Sequence, residues 1–179
     1  MDKTRLMVVG ILVFATLSLS GHPSQRGSAG DAASPDPAAV ERARKTVRML
    51  DDVYKSAIVL ITDKYVHSKD DYPAGRIAVR WFDGISKKGW HEVRLIDATG
   101  EPYSPTNVAK DEFDKEGLKI LKSGKDFHDK VVVEDGKPYL RAITPVPVVM
   151  DKCVLCHAHY KQAKKGEPIG ALTYKVLIE

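Results

Sequence analysis

Cys153-Val154-Leu155-Cys156-His157 is the stretch of this 179-residue sequence whose residue types and spacing can do chemistry. It has the form C-x-x-C-H, the attachment pattern of a c-type haem. Two thiols add across the two vinyl groups of the porphyrin and become thioethers. The two-residue spacer sets the sulfurs at vinyl separation, and the adjacent histidine falls beneath the iron as an axial ligand. Cys153 and Cys156 are therefore the candidate covalent anchors of one haem c, and His157 its candidate proximal ligand. Three other chemistries compete for the same residues. A disulfide within C-x-x-C would suit an exported chain. A thioredoxin-like dithiol wants a strand before it and a helix start to lower a thiol pKa. Here Pro145, Pro147 and Met150 precede it in a loop-like stretch. A zinc site needs two further soft ligands, and the sequence has no second C-x-x-C or C-x-x-H. His159 is too near His157 to close a tetrahedron with both cysteines.

The sixth iron ligand is open at this level, with His67, Met49, Met150, His91, His128, His159 and Tyr72 as candidates. His159 and Met150 lie too close to the attachment stretch to reach the opposite haem face. His91 and His128 begin predicted strands and are expected to point to solvent. Met49 lies off the main stripe of its helix and is expected to pack. His67 ends a long helix, from which it can reach over a haem lying against that helix, and is the preferred distal ligand. A second histidine favours electron transfer or redox sensing. An open site favours a small gas ligand (NO, CO or O₂), because axial ligation moves haem potential over much of ~0.8 V. Arg141, on the strand before the attachment stretch, is a candidate to pair with a haem propionate.

The elements that must position these residues follow from periodicity. Asp36-Pro37 reads as a helix start, an N-cap followed by proline. Val40, Ala43, Val47, Leu50, Tyr54, Ala57, Ile61 and Tyr65 then recur at steps of three and four, one stripe on a long helix. Ala57 to Ile61 is apolar all round, so that end should be enclosed. Pro73 breaks the chain. Gly75 to Ser86 reads as a second helix closed by Gly89, and Trp90 to Asp97 as a strand. Ala98 to Asn107 is turn-rich, and Lys110 to Lys122 is a third amphipathic helix. Phe127 to Glu134 and Tyr139 to Val149 flank Asp135-Gly136, a hairpin signal. Ile169 to Ile178 is a last strand. The class is α+β, with three or four antiparallel strands and helices on one side.

Upstream of this domain, Lys3 and Arg5 precede an apolar run from Leu6 to Leu19, too short for the ~20 residues of a spanning helix. Ser18-Leu19-Ser20 offers small residues for cleavage, so residues 1–20 read as a signal peptide. Residues 21–36, rich in Gly, Ser, Ala and Pro, read as a flexible linker, and 37–179 as the haem domain. The mature chain is expected in a periplasmic or otherwise exported compartment, with no stable membrane insertion after cleavage. Export also favours haem, which is attached covalently outside the cytoplasm. Net charge is +4, from 28 basic and 24 acidic residues scattered evenly, which gives no nucleic-acid footprint.

Beyond the attachment motif, the sequence resembles the PAS-like single-haem c-type cytochrome family. That family occurs as exported cyanobacterial proteins and as sensor domains of membrane receptors, and was formerly a domain of unknown function. The resemblance rests on Gly89-Trp90-His91-Glu92-Val93-Arg94, on Pro105-Thr106-Asn107 and on Leu118-Lys119-Ile120-Leu121. It continues in the run from Val133 to Arg141, in Cys153 to His157 and in Gly170-Ala171-Leu172. Order and spacing of the six pieces make it more specific than C-x-x-C-H alone, and it covers roughly residues 40–179. It implies a PAS-like antiparallel sheet of about five strands, a long N-terminal helix and one covalently bound haem between them. It also implies His157 as proximal ligand. Some members use a third cysteine near the start of the second helix as distal ligand. The matching stretch here, Asp70 to Ala74, has none, which leaves His67 just upstream and Tyr72 within it.

The expected function is that of an exported monohaem cytochrome in electron transfer or redox sensing. The alternative is a haem-based gas-binding module. No distal His-Arg pair is placed, so an enzyme is not expected. With no output domain after Glu179, signalling is expected to pass to a separate signalling protein or redox partner. Lys161, Lys164 and Lys165 offer that partner a basic patch. Trp81, Phe82, Trp90 and Tyr139 are candidate pocket walls.

Overall fold

Two residues start the long helix as their types require. Asp36 Oδ1 accepts a hydrogen bond from Ala38 N at 3.2 Å, and Pro37 follows at a position whose N–H would have no helical partner. The structure is a computed structural model, and it describes residues 34–68, 71–155, 158–164 and 166–179. The expected signal peptide and most of the linker lie outside the described residues. The helix, α1 (Pro37–Tyr65), buries Ala39, Val40, Ala43, Val47, Tyr54 and Thr62 along one stripe. It is followed by α2 (Ala74–Ser86), β1 (His91–Asp97), α3 (Glu112–Lys122), β2 (His128–Glu134) and β3 (Lys137–Pro147). Two 3-10 turns, Asp151–Val154 and Ala158–Gln162, precede β4 (Pro168–Leu177). None of the helices among the described residues is long and apolar enough to cross a membrane.

Among the described residues four strands form one antiparallel sheet in the order β1-β4-β3-β2. The hairpin between β2 and β3 turns at Asp135 and Gly136, whose φ values of 50° and 74° are those of a two-residue turn matched to strand twist. The about five strands implied by the resemblance are four here. The stretch after β1 stays irregular and touches the sheet through a backbone bond from Asp97 N to Asn107 O.

Residues alternate between the two faces of the sheet. Leu140, Ala142, Leu172, Tyr174 and Val176 pack with Val47, Tyr54, Ala78 and Phe82 of α1 and α2. The residues between them face the other way, and Ile143, Ala171 and Ile96 pack with Phe113 and Leu121 of α3. The helices therefore cover both faces, which corrects the expectation of one side. Gly117 makes the close approach of α3 feasible, since a Cβ there would stand 2.6 Å from Ile143 Cγ2.

A buried charge group fixes α3 to the sheet. Asp111 caps α3 by accepting from Asp114 N at 2.9 Å. Asp114, wholly buried, accepts from Arg94 Nη2 of β1 at 2.5 Å and Arg141 Nη2 of β3 at 2.9 Å. Burial opposes the charge of Asp111, but the hydrogen bonds from Arg141 and from Asp114 N hold its carboxyl below the usual range.

Candidate functional site

Cys153 lies on the connection from the end of β3, Pro147, to the start of β4, Pro168, so the attachment segment hangs from one end of the sheet. The first 3-10 turn is closed by Cys153 N to Met150 O at 3.0 Å and Leu155 N to Lys152 O at 3.3 Å. Cys153 is half-buried there. Cys156, His157 and Lys165 lie outside the described residues.

The segment has neighbours on two sides. On one, Lys152 Nζ donates to the Asp63 carbonyl oxygen in the last turn of α1 and lies 4.0 Å from its carboxylate. On the other, His159 Nδ1 stands 4.0 Å from the Glu101 carboxylate, and its ring meets Tyr160 edge-on at 4.5 Å. Burial, then the Asp97 carboxylate, push the Tyr160 phenol up to about 12. Tyr160 is therefore a neutral hydroxyl at any physiological pH.

His67 follows α1 by two residues. Its backbone N–H and that of Ser68 donate to Asp71 Oδ2 at 2.6 and 2.8 Å, which pins the turn while the histidine itself stays exposed. Those two bonds hold the Asp71 carboxyl below its ordinary range. Lys152 thus brings the residue before Cys153 to the end of the helix that leads to His67. Apolar side chains stand exposed on the same parts of the chain: Val59, Leu60 and Tyr65 on the last turns of α1, Tyr72 beyond it, and Val149 and Leu155 in the segment. The apolar end of α1 is thus open, not enclosed as its sequence suggested. Soluble proteins rarely leave large apolar groups uncovered together. A thiol on a segment tied by Lys152 to a helix whose last turns leave aliphatic and aromatic side chains exposed fits a flat apolar group such as a porphyrin.

The other candidates lie elsewhere. Arg141 is six residues before the end of β3, roughly 20 Å at strand rise. Its guanidinium is shared between Asp111 and Asp114, with the Phe113 ring 4.5 Å away. It acts as a clamp on α3, and no contact brings it to the attachment segment among the described residues. Met49 is 59% exposed and does not pack as expected. Trp81 and Phe82 pack on Tyr54 in the core, Trp90 is 83% exposed, and Tyr139 sits under Lys175 at the far end of β3. They do not wall one pocket. Tyr72 is exposed beneath Arg80. Lys161 and Lys164 are exposed as expected of a patch. Lys152, Asp63 and Asp71 lie close in sequence to the motif or to His67, but the bonds they make, Lys152 to the Asp63 carbonyl and the His67 and Ser68 amides to Asp71, show only in the folded chain.

His91 and His128 turn inward, contrary to expectation. His128 stacks on Phe113 at 5.3 Å, and its Nε2 is buried without a hydrogen-bond partner among the described residues. His91 Nε2 lies 2.8 Å from the Tyr54 hydroxyl, in a hydrogen bond whose donor is set by the ring tautomer. Burial lowers the pKa of His91 and raises that of Tyr54. The unfolded chain, with histidine near ~6.5, therefore takes up this proton before the folded one, so stability falls as pH drops below about 6.5. The urea midpoint should fall between about pH 7.5 and about pH 5.5, and His91→Gln should flatten that fall. An unchanged pH slope in the variant would refute the assignment.

A long helix across one face of an antiparallel sheet, a shorter helix on the other face and a C-x-x-C-H segment at the sheet's end define a PAS-like α+β domain. The sequence model of the Tll0287-like family matches residues 33–175, and the chain belongs to that family. Among solved structures, the crystal structure of the cyanobacterial heme-protein Tll0287 is similar in fold. Its TM-score is 0.52 at 12% identity, over 79% of this chain and 96% of that one. No curated protein matches the chain.

Proposed function

We propose that this protein is an exported monohaem c-type cytochrome that carries electrons or reports redox state, and not an enzyme. The observation that carries the reading is C-x-x-C-H on a segment strapped to the exposed apolar end of α1. Family membership supports it, since a solved protein of like fold is a heme-protein. Cys153 and Cys156 anchor the group and His157 is its proximal ligand. Bound haem supplies a one-electron Fe(III)/Fe(II) couple.

His67 is the distal ligand in this reading. The turn that carries it is fixed at the backbone by Asp71, while the histidine itself is exposed. Lys161 and Lys164, exposed just after the motif, give an acidic redox partner or a separate signalling protein a place to dock.

The test is the ferric absorption and EPR spectrum of the mature protein and of His67→Ala. A low-spin wild type that turns high-spin in the variant bears the reading out. A wild type already high-spin, with a ferrous form that binds CO and NO, would instead make it a gas-binding module. A haem with no reversible Fe(III)/Fe(II) step would end the electron-transfer reading.

A further inference from the structure

The last four carbonyls of a helix lack intrahelical partners. At the end of α1, Val66 N takes the Thr62 carbonyl. The Asp63 carbonyl is taken by Lys152, 89 positions further along the chain. Its ammonium also stands against the negative end of the helix dipole. The Asp63 side chain is engaged mainly by Lys64, at 2.9 Å. That hydrogen bond is the first cause of the low pKa of its carboxyl, with Lys152 adding to it. Lys152 therefore bonds the helix end itself.

The placement matters because of what adjoins each partner. Lys152 immediately precedes Cys153, and His67 lies four residues after Asp63. Beyond Asp63, His67 N and Ser68 N both donate to the Asp71 carboxylate. The path from the attachment segment to His67 thus runs through one side-chain bond and one pinned turn.

We propose that Lys152 is a positioning residue that sets the reach between the attachment segment and the end of α1, and so fixes His67 at the sixth iron position. It touches neither the iron nor the porphyrin edge in this role and acts through the helix end. The proposal rests on the reading of His67 as distal ligand given above. Methionine at 152 keeps the apolar stem and loses every donor. Arginine keeps the charge and the donors.

The experiment uses the haem-loaded protein. Ferric spectra, midpoint potentials and the rate of external imidazole binding are compared for wild type, Lys152→Met, Lys152→Arg and His67→Ala. Amide hydrogen exchange is followed in the same samples. Lys152→Met should move part of the ferric iron to high spin and speed imidazole entry about tenfold, the scale of one lost charge-assisted hydrogen bond. Lys152→Arg should restore both. A Lys152→Met protein that melts earlier but keeps the wild-type spectrum, potential and imidazole rate would overturn the positioning role. His67→Ala reports on the underlying reading separately, because an unchanged spectrum there removes His67 as ligand. Hydrogen exchange then decides the clamp on its own. Faster exchange confined to the last turn of α1 upholds it, and exchange equal to wild type overturns it.

Discussion

A Cys153→Ala, Cys156→Ala protein made in a host that matures cytochromes should retain no haem through acid–acetone extraction and should weigh only what its amino acids sum to. The expected loss is complete, because covalent retention depends on the two thioethers and not on the strength of the pocket. The single variants should each keep one bond and hold the group more weakly, with an altered absorption band. His157→Ala should behave differently. Its anchors remain, so the pigment stays attached, while the proximal ligand and the low-spin spectrum are lost. Mass spectrometry and a denaturing gel stained for haem read both outcomes. A colourless wild type with two titratable thiols would sink the haem reading. A colourless wild type whose thiols appear only after reduction would put a disulfide in its place.

Much of the scaffold is legible in the sequence, and the reasons are local. Asp36-Pro37 starts α1 and Asp135-Gly136 turns the hairpin because each pair satisfies the backbone by itself. The face that α3 covers was not legible. β3 buries Ala142 and Ile143 on opposite faces, so its run shows no alternation to say which face a third helix needs. The inward turn of His91 and His128 was hidden for a related reason. A polar residue at a strand start reads as solvated until Tyr54 or Phe113 is seen above it. Within the site, the C-x-x-C-H motif is contiguous, so its spacing is visible in the sequence. Its strap to α1 joins residues 89 apart, and no sequence period encodes that.

Asp114→Asn should cost about 3–5 kcal/mol in unfolding free energy, the range for breaking a buried ion pair from one side. Asp114 has no exposed surface and carries three hydrogen bonds, from Arg94, Arg141 and Lys110 N. Asparagine keeps the volume but leaves two guanidiniums half-buried with less negative charge to face. Asp111 remains on Arg141, so the effect should fall toward the lower end of the range. Asp111→Asn should cost under about 1 kcal/mol, because asparagine caps a helix nearly as well. The depressed pKa of Asp111 adds stability above its unfolded value near ~3.9, lost as pH falls through its folded value. Replacing Arg94, Asp114 and Arg141 together by apolar residues of similar volume should be near neutral, since the triad's desolvation cost disappears with its attraction. Urea midpoints at neutral pH measure all three. A loss below about 1 kcal/mol for Asp114→Asn would show that the charge group is not what holds α3 to the sheet. Because α3 lies on the face away from α1, the haem spectrum of Asp114→Asn should match wild type below its melting point. A shifted spectrum would mean that the two faces of the sheet are coupled.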